Sequence, residues 1–501
     1  MDVAVVGATG DVGRQVCTQI VERRVLPPTA RLQLVGRAGG ASGRAVHGLR
    51  ADLVDAYDEH APLLDVAHSP EDVTADVIVV AAGLTPPART GADPDRRVLA
   101  ATNGAVLAEY ADAIARHGSG HEVVVVVTNP VELGVAVMAE RLGRHRVLGM
   151  GAWLDTLRFR RELAVELGVR RHRVGGFVGG QHGEDAVPLW STVRVSGLDA
   201  DERARAVAAL RRGRTLDALP AEIAAAKTEL ARVATADMGA AFDLIDTWPA
   251  DLRLVTRPWM THQSGAKTPA GTASATVDLL EVILDGREIV VAGQVALDGE
   301  LDGRLDGPLD RTLAGHDGVP YRGVLGVPVV LGPGGWTRVL LDDLPDDEAR
   351  RLAHAADGIE RMVAASTVPR DDDRPAGRER ARTGAPVPGA SSATGDRAPS
   401  GRAGAEAAWV ATVHGLDQPG TLTALTGVFS TRGVSFDSLA TEPVDDDGRA
   451  GRIVVTFRAT PRRTRALERA VRRLATVRSV VVEPASGASS HRAAPRAERP
   501  R

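Results

Sequence analysis

Apolar segments of strand length alternate with helical segments along the first part of the chain. From Met1 to about Gly151 the apolar segments read VAVVG, RLQLVGR, DVIVVAAG, EVVVVVTNP and RVLGMG. Strands without a polar face are typical of a parallel sheet covered by helices on both sides. The pattern predicts an α/β domain with a parallel sheet over residues 1–151.

Polar and apolar positions follow a mixed pattern after this domain. Residues 152–368 combine Ala-, Arg- and Glu-rich helical stretches with strand-like segments, including a hairpin-like EIVVAGQVALDGEL, and we predict a second, α+β domain there. Residues 369–405 carry almost no bulky apolar side chains and cannot form a core, which predicts a disordered linker. We expect a disordered tail at residues 486–501.

A third pattern occupies residues 406–485. It reads as a strand (AWVATVHG), a helix (PGTLTALTGVFSTRG), two strands (VSFDSLATEPV and GRIVVTFRAT), a helix (RRTRALERAVRRLAT) and a final strand (RSVVVEP). This βαββαβ order predicts a ferredoxin-like domain.

Charge and composition narrow the classes of partner. The chain has 61 Lys and Arg against 65 Asp and Glu, a formal net charge of −4, so no basic excess indicates nucleic-acid binding. Its longest apolar runs are too short to span a membrane. A single cysteine, Cys17, fits a reducing cytoplasm. We expect a cytoplasmic protein that binds small metabolites, without a nucleic-acid, membrane or metal partner.

The first predicted strand runs into a glycine-rich turn, GATGDVG, that is followed by a helix. Glycines allow the backbone to turn sharply and to approach a pyrophosphate, whose charge is stabilised at the helix N-terminus. A lone glycine motif has a purely structural turn as its alternative. In this strand–turn–helix setting the motif predicts a Rossmann-type dinucleotide site at Gly7, Gly10, Asp11, Val12 and Gly13.

Two further segments, GAWLDTLRFRRELA and GGQHGEDAVPLW, contain Asp155, Arg158 and His182. On a helix, Asp155 and Arg158 are i and i+3 neighbours on one face. Taken singly, these residues have structural alternatives: an ion pair within a helix, and one loop histidine among thirteen. Taken together, a carboxylate, a guanidinium and an imidazole can bind a substrate carboxylate and transfer a proton.

These segments resemble the lactate/malate dehydrogenase family, where they read approximately LDSxRFRxxLA and GxHGDxxVPxWS. The resemblance covers residues 1–366 and includes GVPVVLGPGG. It implies that His182 is the acid/base and that Asp155 orients its imidazole. It also implies that Arg158 binds the C1 carboxylate of a 2-oxo acid, and that Asn129 binds the reacting oxygen.

The resemblance further implies a nicotinamide cofactor, with Asn103 and Thr128 beside it. Relatives that use NAD usually carry an Asp at the end of the second strand, where this chain has Gly36 and Arg37. Loss of the carboxylate and gain of a guanidinium favour a 2′-phosphate, so we favour NADP over NAD. The alternative is that Arg37 is a solvated residue in a glycine-rich loop.

An irregular segment, AAGLTPPARTGADPDRRVLAATN, stands where the family has approximately AGxPRxxGxxRxDLxxxN. The nearest fit assigns Arg89 to substrate selection and Arg96 to carbonyl polarisation, with Arg97 competing for the second role. An arginine at the selecting position implies a dicarboxylate substrate, hence malate and oxaloacetate, because a charged distal group needs a buried partner. A solvent-exposed Arg89 is the alternative.

The segment GLDQPGTLTALTGVFSTRGVSFDSL resembles the opening of an ACT regulatory domain. That resemblance implies an amino-acid effector near Asp417, Pro419 and Gly420, with dimerisation without a ligand as the alternative. We also expect a homo-oligomer.

The leading hypothesis is an NAD(P)-dependent malate dehydrogenase regulated through an ACT-like domain. The alternatives are a lactate dehydrogenase-type activity on another 2-oxo acid, and a non-catalytic sensor of nicotinamide nucleotide and amino acid.

Overall fold

The computed structural model describes residues 1–83, 96–300, 321–341, 344–366, 406–416, 421–431, 434–443, 450–472, 474 and 476–485. The chain divides into two compact units, residues 1–368 and 369–501, and each is described by itself. The linker and tail predicted at residues 369–405 and 486–501 lie outside the described residues. None of the helices in the described ranges is long and apolar enough to cross a membrane.

The first unit begins with six parallel strands in the order β3-β2-β1-β4-β5-β6. They are β1 (Val3–Val6), β2 (Arg31–Val35), β3 (Leu63–Ala67), β4 (Val77–Val80), β5 (Val123–Val126) and β6 (Val147–Gly149). The helices that connect them are α1 (Asp11–Glu22), α2 (Ala41–Tyr57), α3 (Arg96–His117) and α4 (Val131–Leu142). Three of the strands are buried along their whole length and consist almost entirely of valine, a β-branched residue that packs well in sheets. The prediction of a Rossmann-like parallel sheet is therefore confirmed.

The strand order reverses between β1 and β4. In doubly wound sheets, ligands bind at such a switch point, beyond the carboxyl ends of the strands. Both the glycine-rich turn after β1 and the segment after β4 emerge there.

The sheet continues without a break into the second half of this unit. β9 (Ile289–Ala296) pairs antiparallel with β6, and the order then runs through β10 (Val324–Gly332), β7 (Val174–Gly180) and β8 (Ala186–Val195). β11 (Gly335–Val339) pairs with β10, giving eleven strands among the described residues. The hairpin expected within EIVVAGQVALDGEL is wrong, because β9 pairs with β10 and not with its own continuation.

Seven helices of the described chain belong to this half. They are α5 (Gly151–Glu166), α6 (Ala200–Arg211), α7 (Leu219–Ala236), α8 (Met238–Asp246), α9 (Ala250–Gln263), α10 (Pro269–Asp285) and α11 (Asp346–Ala365). Helix α5 packs on β7, and the rings of Phe159 and Trp190 meet edge to face with centroids 5.1 Å apart. Helices α7, α8 and α9 enclose a smaller core of their own, formed by Leu230, Ala241, Ile245 and Met260.

The second unit contains an antiparallel sheet of order β13-β14-β12-β15. Its elements are β12 (Ala407–Leu416), α12 (Thr421–Thr431), β13 (Phe436–Pro443), β14 (Ala450–Ala459), α13 (Pro461–Arg472) and β15 (Val477–Pro484). Alternate residues of β12 and β14 are buried against a core that includes Val413, Phe429 and Phe457. One face of this sheet is therefore covered, as the alternation of side chains along a strand requires.

Candidate active site

The turn after β1 is built so that only glycine fits at two of its positions. Gly7 has φ +82°, and a Cβ there would lie 2.7 Å from Cα of Ala82. A Cβ on Gly13 would lie 2.1 Å from the carbonyl oxygen of Gly7. The turn, helix α1 and the segment after β4 therefore approach one another more closely than any other side chain would permit.

Helix α1 presents its N-terminus at this turn. Gly10 is the N-cap residue, and the next three residues are Asp11, Val12 and Gly13. First-turn N–H groups have no acceptor within their own helix, so they can bind an anion. The residues of this turn thus fit the pyrophosphate of a dinucleotide. The Asp11 carboxylate is paired with Lys267, which lies just before α10.

The end of β2 carries no acidic side chain. A Cβ on Gly36 would lie 2.7 Å from the carbonyl oxygen of Ser42, so the loop folds tightly against the start of α2. The Arg37 N–H donates to Oγ of Ser42 at 3.1 Å, while its guanidinium is 73% exposed and 4.0 Å from Glu109. This edge of the site thus presents an exposed guanidinium with a carboxylate beside it.

Asp155, Arg158 and His182 come together at the other end of the site. Asp155 and Arg158 lie one turn apart on α5, and Nη1 of Arg158 donates to Oδ1 of Asp155 at 3.1 Å. His182, in the loop between β7 and β8, contacts Oδ2 of the same carboxylate through Nδ1 at 2.7 Å. Asp155 is only 2% exposed, so both contacts are shielded from water.

This arrangement shifts the pKa values of both partners. Burial by itself would lower the pKa of His182, but the charge of Asp155 and their hydrogen bond raise it above its ordinary value. Burial by itself would raise the pKa of Asp155, but His182 and then Arg158 lower it. The pair is therefore suited to holding a proton on the imidazole.

Asn129 is the third residue after the end of β5, at the carboxyl edge of the sheet, and it is exposed. Its carbonyl oxygen accepts from Nδ2 of Asn103 at 2.7 Å. The neighbouring Thr128 hydroxyl donates to the carbonyl of Ala82 at 2.7 Å. Thr128 thus joins the segments after β4 and β5, and Asn103 joins α3 to the segment after β5. Their predicted contacts with a cofactor stay predictions.

The irregular arginine segment falls mostly outside the described residues. Arg89 lies there entirely. Arg96 is the first residue of α3, but its side chain and that of Arg97 are not described. Their assignments to the substrate stay predictions. No group of three or more His, Cys, Asp or Glu side chains within the described ranges is placed to hold a metal ion.

Sequence reasoning missed several residues that contact His182 or its loop. A Cβ on Gly151 would lie 2.6 Å from Cγ of the imidazole. Glu132 accepts the backbone N–H of His182. Lys227 of α7 pairs with Glu184, two residues beyond His182. Only the position of Glu132, three residues after Asn129, offered a signal in the sequence; the other contacts join elements far apart in the chain.

Comparison with known proteins agrees with this geometry. Residues 1–149 match the family model described as lactate/malate dehydrogenase, NAD binding domain. The chain carries the NAD-binding domain of that family. The predicted NAD(P)-dependent dehydrogenase acting on CH–OH donors is thereby confirmed as a dehydrogenase, with NAD as the nucleotide that this domain supports.

Relatives extend the similarity beyond this domain. The malate dehydrogenase of Symbiobacterium thermophilum is 27% identical over 321 residues, which span 63% of this chain and 83% of that protein. The malate dehydrogenase of Halobacterium salinarum is 28% identical over 370 residues, 71% of this chain and 96% of that protein. The structure of the malate dehydrogenase from Aeropyrum pernix superposes with a TM-score of 0.51 at 21% identity, covering 73% of this chain and 97% of that one. The similarity to the Aeropyrum pernix structure shows the fold of this part of the chain.

Proposed function

We propose that this enzyme interconverts malate and oxaloacetate. The observation that carries the proposal is the contact of one buried carboxylate, Asp155, with both an imidazole and a guanidinium beside a dinucleotide-binding sheet. The malate dehydrogenases among the relatives support the choice of substrate.

Each residue of the cluster has a chemical task in this proposal. When bound, the nicotinamide supplies or accepts the hydride at C2 of the substrate. Arg158 binds the C1 carboxylate through its remaining guanidinium N–H groups. Because the Asp155 carboxylate can only accept, Nδ1 of His182 carries a proton, which leaves Nε2 to exchange the second proton with the substrate oxygen. The Asn129 amide donates to the same oxygen.

A substrate panel tests this proposal. We expect NADH or NADPH to be oxidised fastest with oxaloacetate, since Arg89 is assigned to a distal carboxylate. Faster turnover of pyruvate or another 2-oxo monoacid would replace malate by a lactate-type activity. Cofactor binding without turnover of any 2-oxo acid would refute the enzyme and favour a nucleotide sensor.

For the cofactor, we infer that NADP is preferred to NAD. The support is the absence of a carboxylate at Gly36 and the exposed guanidinium of Arg37, since a 2′-phosphate needs a cation and is repelled by an acidic residue. Arg37→Asp should shift the ratio of kcat/KM values toward NADH. Arg50→Asp, on the exposed side of α2, is the matched control. A ratio unchanged in Arg37→Asp would mean that the enzyme does not read the 2′ position with this residue.

For the second unit, we infer an ACT-like regulatory module that binds an amino acid within a cytoplasmic homo-oligomer. The support is its βαββαβ order; Asp417, Pro419 and Gly420 of the expected effector turn lie outside the described residues. Titrating each amino acid against turnover of the full chain, with light scattering for mass, tests both parts. A monomer unaffected by every amino acid would contradict them.

A further inference from the structure

Two carboxylates hold His182, one at its ring and one at its backbone. Asp155 binds Nδ1, as described above. Oε1 of Glu132 accepts the His182 backbone N–H at 2.7 Å. The second contact joins the first turn of α4 to the loop between β7 and β8, fifty residues further along the chain.

Burial makes a carboxylate side chain such as Glu132 unfavourable at this position. Glu132 is 2% exposed, and charged groups are rarely buried to this degree without a specific partner. Burial raises the pKa of its carboxyl, while the hydrogen bond from His182 opposes that shift. The charge of Asp155 acts on the Glu132 carboxyl. The charges of Asp155 and Arg158 act on the His182 imidazole.

Glu132 also connects the two groups proposed to hold the substrate oxygen. It follows Asn129 by three residues, where β5 passes into α4. Asn129 therefore lies just before α4, and the first turn of the same helix binds the backbone N–H of His182. Proton transfer requires donor and acceptor atoms within hydrogen-bond distance, so small displacements of the imidazole should lower kcat.

We propose that Glu132 is a positioning residue, which fixes the backbone of His182 at a set distance from Asn129 by accepting its N–H. The catalytic part of this inference rests on the proposed function, whereas the contact itself does not. Side-chain length and an acceptor oxygen are what the role requires.

Two variants separate the acceptor from the rest of the side chain. Glu132→Gln keeps the length and an acceptor oxygen, and we expect kcat within about 5-fold of wild type. Glu132→Met keeps the length and removes the acceptor, leaving a buried N–H without a partner, so kcat should fall on the order of 10- to 100-fold. KM and cofactor Kd should change by less than about 3-fold, because neither ligand touches Glu132 in this scheme. Glu140→Met, on the exposed part of α4, should have no effect.

Hydrogen exchange supplies a readout that does not depend on turnover. In the apo enzyme, the amide of His182 should exchange at least about tenfold faster in Glu132→Met than in wild type or Glu132→Gln. Unchanged exchange in Glu132→Met, or equal loss of kcat in both variants, would overturn the inference. An inactive wild-type enzyme would instead refute the proposed function and leave the exchange result to decide on Glu132.

Discussion

Nδ1 of His182 lies 2.7 Å from Oδ2 of Asp155, and the same carboxylate accepts from Arg158 through Oδ1. In the proposed mechanism, this one buried carboxylate fixes the tautomer of His182 and orients the Arg158 guanidinium for the substrate. Because the carboxylate is shared, a displacement of Asp155 should disturb both proton transfer and substrate binding in that mechanism.

The pH dependence of the two reaction directions should be opposite. In the proposed mechanism, reduction of a 2-oxo acid needs protonated His182, and the pKa of His182 in the folded enzyme is raised above 6.5. Reduction should therefore be fastest below this raised pKa and decline as the pH rises through it, while oxidation of the hydroxy acid should increase over the same range. Profiles of kcat/KM against pH in both directions measure this. Parallel profiles in the two directions would contradict a single proton carried by His182.

Asp155→Asn should shift the pH profile of kcat/KM and lower its maximum. The amide removes the charge that raises the pKa of His182, so the reductive limb should shift to lower pH. The amide can also present an N–H to Nδ1 and favour the wrong tautomer, so kcat should fall on the order of 10²- to 10⁴-fold. Cofactor Kd should stay unchanged. Asp217→Asn, an exposed carboxylate paired with Arg350, is the control. An Asp155→Asn enzyme with wild-type kcat would remove Asp155 from the mechanism.

Gly151→Ala should damage catalysis through a single methyl group. Its Cβ would lie 2.6 Å from Cγ and 2.7 Å from Cβ of His182, so the imidazole must shift. We expect kcat to fall on the order of 10- to 100-fold with cofactor Kd unchanged. Gly48→Ala, in α2 with nothing within 4 Å of the added atom, should be neutral for activity and raise the melting temperature. Equal kcat for the two variants would show that the ring has room to move.

The local pattern of the sequence was sufficient for the parallel sheet and for placing Asp155 and Arg158 on one side of a helix; their catalytic roles stay predictions. Valine-rich strands separated by helices can be buried only between two helical layers, and Asp155 and Arg158 face one side because of helical spacing. The contacts of Gly151 and Lys227 could not be foreseen in this way. Each joins residues that are distant in the chain, and a glycine or a lysine has no pattern that reveals its partner.

The prediction of a hairpin around residues 288–301 was wrong for a related reason. A short apolar run shows that a strand exists but does not show which strand it pairs with. β9 instead lies between β6 and β10, with Gln294 fully buried and its Oε1 accepting the N–H of Ala152 at the start of α5. The buried glutamine marks the point where the two halves of the sheet meet.

Lys227 should support the loop that carries His182. Its ammonium pairs with Glu184 and lies 5.4 Å from the ring centroid of Trp259, so Lys227 connects α7 both to this loop and to α9. Lys227→Met keeps the apolar stem but removes the charge, and we expect kcat to fall about 3- to 10-fold with unchanged cofactor Kd. Glu184→Gln should have a similar effect, and the double variant should be little worse than either single variant. Fully additive losses would show that the two residues act separately.

The other lysine, Lys267, should act on the cofactor. It pairs with Asp11 at the N-terminus of α1, where the carboxylate would otherwise repel a pyrophosphate. Removing the ammonium in Lys267→Met leaves that negative charge unbalanced, so the Kd for NADH should rise about 3- to 10-fold at low salt, with a smaller rise at high salt because both groups are exposed. Restoring affinity with Asp11→Asn in the same chain would assign the effect to the pair. Fluorescence titration of NADH measures each variant, and the apolar Met side chain in Lys227→Met serves as the matched control. A Kd that is unchanged by Lys267→Met at any ionic strength would show that the charge of Lys267 does not affect pyrophosphate binding.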